Sequence, residues 1–104
     1  MTLAEFKKIL DATGYPVAYS HFSGPQNPPF ICYLVDNEPN LIADNKVHHK
    51  ISDVSIELYT KKKDLAAESK LESLLDENEL PYEPYQIFIE SENIFQKTYE
   101  VRLI

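Results

Sequence analysis

The residue types most able to do chemistry are few. His48 and His49 are adjacent, with His21 upstream and Asp44 nearby, and they form the only grouping that could hold a metal. Neighbouring residues on an extended chain point to opposite faces, and no Cys, His or carboxylate spacing of a metal site accompanies the pair. Both histidines are therefore expected to be solvated or to face a partner, with no metal and no cofactor. Cys32 lies inside the apolar run Phe30-Ile31-Cys32-Tyr33-Leu34-Val35. It reads as a small buried hydrophobe, since a reactive thiolate needs a neighbouring base or cation. Two carboxylate pairs, Asp76-Glu77 and Glu90-Ser91-Glu92, fall where a helix end and a turn would leave them in water. Gly14 and Gly24 are isolated, so no phosphate-cradling loop exists, and no Ser-His-Asp or Cys-His spacing is present. The chain is not expected to be an enzyme.

The elements that would carry these residues can be read from periodicity. Thr2-Leu3-Ala4-Glu5 has the form of a capping box, and Leu3, Phe6, Ile9, Leu10 and Thr13 recur at helical spacing, so a helix is predicted over 3–13 with Gly14 as a left-handed cap. Pro16 ends it. A first strand follows over 17–22, then a loop over 23–29 by composition, then the run 30–35 as a strand covered on both faces. Residues 36–46 read as a long connection whose small apolar knot, Leu41-Ile42-Ala43, packs locally or meets a partner. From 50 to 60, Ser52, Val54, Ile56 and Leu58 alternate with Asp53, Ser55, Glu57 and Tyr59, the pattern of a half-buried strand. Asp64 is placed to cap a second helix whose inner stripe is Ala67, Leu71, Leu74, Leu75 and Asn78. Pro81 and Pro84 lead into two further strands over 85–104, broken at Ser91-Glu92-Asn93, which read as the spine of the sheet. The expected fold is α+β: one mostly antiparallel sheet of about five strands, two helices on one face, in the order α-β-β-β-α-β-β.

At 104 residues the sequence fits one domain. Its net charge of −7, from 17 Asp and Glu against 10 Lys and Arg, opposes phosphate-backbone binding as a main activity. The run Lys61-Lys62-Lys63 is too short to reverse that balance and reads as a solvated turn. No stretch is apolar enough to span a membrane, and the first residues lack a secretion signal, so a cytoplasmic location is expected. Seven tyrosines and five phenylalanines exceed what a core of this size hides readily. Tyr59 and Phe88, with Phe22 or Tyr33, fall on faces assigned to solvent, and such aromatics suit a protein interface. The plainer alternative is that long loops cover the second face of the sheet.

Three segments, LAEFKKILDATGYPVAYSHF, PPFICYLVDNEPNLIADNKVHHKISDVSIELYTKKKD and IFIESENIFQKTYEVRLI, together resemble the small head–tail joining proteins of long-tailed bacteriophages and prophages of Gram-positive bacteria. In particular the chain resembles the tail terminator, or tail-completion, family. The resemblance implies a ring, usually hexameric, at the head-proximal end of the tail tube. Such a ring ends polymerisation of the tube protein and offers a docking surface for the head connector or stopper, while genome DNA passes through its lumen without specific binding. It also implies assembly in the host cytoplasm and a final place in the virion. Another neck component, an adaptor or stopper, has the same pattern of elements, and an acidic host-directed binding module is the alternative of another class. The expected interface residues, from loop position and outward aromatics, are Phe22, Leu41, Ile42, His48, His49, Tyr59 and Phe88.

Overall fold

Phe6 and Leu10 stand one turn apart on α1 (Leu3–Asp11) and are both fully buried. The helix starts as predicted: the Glu5 amide donates to the Thr2 hydroxyl at 3.1 Å, and the Thr2 amide donates to the Glu5 carboxylate at 2.9 Å. It stops two residues before the predicted end. Ala12 is the C-cap, Thr13 is buried with its hydroxyl donating to the Leu10 carbonyl, and Gly14 takes a left-handed φ of +84°. In this computed structural model residues 1–39, 41–43, 46–49 and 51–104 are described, with 41–43 and 46–49 described by their backbone alone.

Among the described residues seven strands follow: β1 (Val17–Tyr19), β2 (Phe30–Asn37), β3 (Leu41–Ala43), β4 (Lys46–His49), β5 (Ser52–Thr60), β6 (Tyr82–Ile89) and β7 (Ile94–Leu103), with α2 (Leu65–Glu77) between β5 and β6. Five of them form one sheet in the order β1-β2-β5-β7-β6. Every pair is antiparallel except β1 with β2. The expected α+β architecture is present, with both helices on one face. Phe6, Leu10, Ala67, Leu71 and Leu75 of the helices pack with Ile31, Tyr33, Val54, Ile56, Leu58, Tyr99, Val101 and Leu103 of the sheet in a single apolar cluster.

The structure corrects the sequence reading in several places. The connection 36–46 is not irregular throughout: β3 pairs antiparallel with β4 as a separate two-stranded sheet. β1 ends at Tyr19, because Ser20 adopts φ +67° and the His21 amide turns back to the Tyr19 carbonyl at 2.7 Å. Phe22 therefore sits in a loop and not in a strand. The centre of the sheet is β5, whose two edges are taken by β2 and β7, while β6 of the C-terminal hairpin is an edge. Pro84, which has no N–H to give, is tolerated there for that reason. Tyr33 is on the helix side and buried, its ring edge-on to that of Phe6 at 6.3 Å. On α2, Asn78 is exposed and its side-chain amide donates to the Leu74 carbonyl, so it closes the helix instead of joining the inner stripe. Lys50, the predicted first residue of the strand 50–60, lies outside the described residues.

The candidate interface and the open face of the sheet

Alternation along β2, β5 and β7 sends every second side chain away from the helices. The registers set Phe30 beside Tyr59, Cys32 beside Glu57 and Leu34 beside Ser55, and across the other edge Tyr59 beside Gln96, Glu57 beside Thr98 and Ser55 beside Glu100. Among the described residues no helix covers this face. At one end of it the loop 20–29 folds over the sheet and leaves a groove of about 520 Å³, lined by His21, Phe22, Pro28, Phe30, Tyr59 and Ile94 among others. Phe22 meets Phe30 edge-on at 5.5 Å, and Phe30 stacks on Tyr59 at 4.7 Å. Two predicted interface residues, Phe22 and Tyr59, are thus brought together. They are half-buried and not freely exposed, because the loop covers part of the face.

Tyr59 is held by more than its ring. Its hydroxyl donates to Glu57 at 3.2 Å and accepts from the Gln96 amide at 2.7 Å. Burial, with the Glu57 carboxylate adding to it, pushes the phenol up to about 12. Cys32 lies under the same face and is buried. Burial first, and the Glu57 charge second, push its thiol up to about 11, so it stays protonated and is no nucleophile near neutral pH.

The other end of the face is a set of carboxylates that the sequence reading did not single out. The Ser55 hydroxyl, with one proton to donate, lies against two carboxyl groups: Asp36, and Glu100 at 2.7 Å. Burial first, then the Asp36 charge, hold the Glu100 carboxyl above its ordinary range, against the hydrogen bond from Ser55. Glu57 is likewise raised, first by burial and then by Asp36 and Glu100, with the Tyr59 hydroxyl opposing. Glu83 stands directly across from Glu100 in the β6–β7 ladder. Arg102 is bound to Asp53, at 2.8 and 3.1 Å, and among the described residues to no other carboxylate. The signal for this cluster was in the sequence as the outward set Asp53, Ser55, Glu57, but its partners Asp36, Glu83 and Glu100 come from three other strands, and only the register brings them in.

The remaining predicted residues separate from these. Phe88 is on the edge strand β6, 44 % exposed, with its ring 4.9 Å from that of Phe95. Its register partner Phe95 is on the helix side of β7, so Phe88 projects to the helix side and not to the open face, whereas Tyr85 and Ile87, 53 % and 48 % exposed and not in the predicted set, pair with Thr98 and Gln96 and project to the open face. Leu41 and Ile42 lie on β3 and His48 and His49 on β4, and their side chains lie outside the described residues. Among the described residues no three His, Cys, Asp or Glu side chains are grouped as metal ligands, and no helix is long and apolar enough to cross a membrane. The arrangement is suited to contact: an aromatic groove, a field of carboxylates and an apolar edge strand.

No protein-family model matches the chain, and no curated protein matches it. Among solved structures, the fold is similar to that of a chain described as "Virion of native gene transfer agent (GTA) particle". The two agree with a TM-score of 0.64 over 90 % of this chain and 81 % of that one, at 11 % sequence identity. At that identity the likeness is one of fold.

Proposed function

We propose that this chain is a structural protein of a phage-like virion and that it forms a ring, hexameric in the preferred reading, at the head-proximal end of the tail tube. The observation that carries the proposal is the fold shared with a virion chain over nine-tenths of this chain's length. The terminator resemblance of the sequence adds the place in the particle. A ring of this kind needs no reaction chemistry. A heterologous contact that closes on itself makes a finite assembly, and two unlike faces let it stop the tube on one side and receive the head connector or stopper on the other. The features of the surface support a role through contact: the aromatic groove at Phe22, Phe30 and Tyr59, and the exposed residues of β6. The acidic balance suits a lumen through which DNA moves without adhering.

Sedimentation velocity of the purified protein, with and without magnesium and with and without its tail-tube protein, tests this reading. A discrete species near six subunits, or a monomer that joins tube ends and halts their growth, is the expected result. A monomer indifferent to tube protein under all conditions overturns it. Binding to the portal in place of the tube would move the protein to an adaptor or stopper position in the same neck.

A further inference from the structure

A hydroxyl has one proton to donate, and an ionised carboxyl has none. Yet Ser55, 6 % exposed, is hydrogen-bonded both to Asp36 and, at 2.7 Å, to Glu100. Both contacts can be hydrogen bonds at once only if one of the two carboxyls carries a proton, so that donation runs from Glu100 through Ser55 to Asp36, or the reverse. Glu100 also has a hydrogen bond with Asp36 that favours its protonated form, while bonds from Ser55 and Tyr85 favour its charge. The groups that face the pair are mostly acid. On β5, Asp53 and Glu57 flank Ser55 on the same face; on β7, Thr98 and Arg102 flank Glu100; on β6, Glu83 and Tyr85 lie across from Glu100 and Thr98. Arg102 is engaged by Asp53, and among the described residues neither Lys nor Arg pairs with Asp36, Glu57 or Glu100. A second ionised carboxylate beside Ser55 is therefore unfavourable.

The backbone decides which side gives way when that proton leaves. Glu100 sits in β7 where both edges are paired, to Ser55 of β5 and to Glu83 of β6. Asp36 stands where the β2–β5 ladder shifts register between Val35 and Asn37, so it is the extra residue of a bulge with no partner across the ladder. The β1 ladder stops at Tyr33, which leaves this end of β2 paired on one edge, and the Asp36 side chain is exposed. We propose that Asp36, Ser55 and Glu100 are a proton-operated clamp: one proton shared by the two carboxyls ties the bulged end of β2 to the sheet, and its loss lets that end part from Ser55. Closing takes one proton from solvent and leaves the pair with a single negative charge; opening returns the proton to water and leaves two. Because burial and Asp36 raise the Glu100 value, the clamp is closed in acid and opens as pH rises through the folded value of the pair. β2 leads into the β3–β4 hairpin a few residues beyond Asn37, so the clamp governs how firmly one root of that hairpin is held. The device is complete within one chain and needs no ring.

Carboxyl-carbon NMR and amide hydrogen exchange on the full chain, over a pH series from acid to neutral, test the clamp. The Asp36 and Glu100 carboxyl carbons should report one shared step above the ordinary carboxylate range. Across that step the amides of 34–37 should exchange faster by about fivefold or more, once the intrinsic pH dependence of exchange is divided out, while those of 96–99 in β7 stay unchanged. Glu100→Gln and Asp36→Asn each supply a permanent donor to Ser55, so their 34–37 amides should keep the protected rate throughout. Glu57→Gln removes a neighbouring acid and not the shared proton, so it should keep the step. Circular dichroism checks that the variants fold; should one fail to fold, the carboxyl titration of the wild type decides alone. Carboxyl carbons that titrate separately within the ordinary range overturn the shared proton. An exchange step that survives both Glu100→Gln and Asp36→Asn, or the lack of any step, overturns the clamp. Loss of the step in Glu57→Gln would move the proton to Glu57 and overturn it as well.

Discussion

At the residue scale, two glutamates with opposite surroundings show what their partners decide. Glu68 is 5 % exposed on α2 yet ionised, because Lys63 at 2.8 Å and Lys97 at 2.7 Å outweigh the cost of burial and lower its pKa. Its contribution to stability is present above the ordinary carboxylate range and lost as pH falls through the lowered folded value. Glu68→Gln should therefore destabilise the protein by about 1–3 kcal/mol near neutral pH, with the gap closing in acid, as read from urea midpoints over a pH series. Glu100 runs the other way. Burial and Asp36 raise its pKa, so the stability it contributes is full below the unfolded carboxylate value and is lost as pH rises through the folded one. Glu100→Gln should stabilise the protein at neutral pH by roughly 0.5–1 kcal/mol, the size of a relieved like-charge pair, and should flatten the pH dependence of unfolding. A loss of stability in that variant at pH 7 would mean that the carboxylates of Asp36 and Glu100, which share the Ser55 hydroxyl, are not in conflict.

Elements add terms that can be tested singly. The capping box at Thr2 and Glu5 satisfies two amides at the start of α1, so Thr2→Ala should lower stability by about 1 kcal/mol without changing the far-UV spectrum of the folded state. Gly14 has φ +84° and open space where a Cβ would stand, so Gly14→Ala should cost about 1 kcal/mol through backbone strain alone. Both are read as shifts of the denaturant midpoint at unchanged slope. Truncating Phe6 is of another order, about 3–5 kcal/mol, because α1 is fastened to the sheet through Phe6 and Leu10. At this scale the strands differ in kind: β5 is paired on both edges, whereas β6 is paired on one and leaves Tyr85, Ile87 and Phe88 about half exposed.

The whole molecule is polarised by its two faces. One is closed by helices, and the other is open, with an aromatic groove at one end and carboxylates at the other. A subunit interface that uses part of this surface should weaken when a ring is removed from it. Tyr59→Ala and Phe22→Ala should each raise the concentration needed for assembly about tenfold while the monomer stays folded, a result read by sedimentation and circular dichroism. Assembly unchanged in both would exclude the aromatic groove from the interface.

Local chemistry determined much of this fold from the sequence alone. The capping box, the Asp64 cap, the helical stripes and the alternation of β5 depend on residues within a few positions of one another, and these are where the reading and the structure agree. What only the tertiary structure decided depends on residues far apart along the chain. Periodicity cannot tell a centre strand from an edge strand, so the C-terminal hairpin reads as the spine of the sheet although β6 is an edge. It cannot say that Ser20 turns with positive φ and frees Phe22 to meet Phe30, which in turn stacks on Tyr59. Nor can it bring Asp36, Glu57, Glu83 and Glu100 together, since their meeting is a matter of register between β2, β5, β7 and β6. Register is set by the packing of the whole sheet against its helices, a property no segment holds by itself.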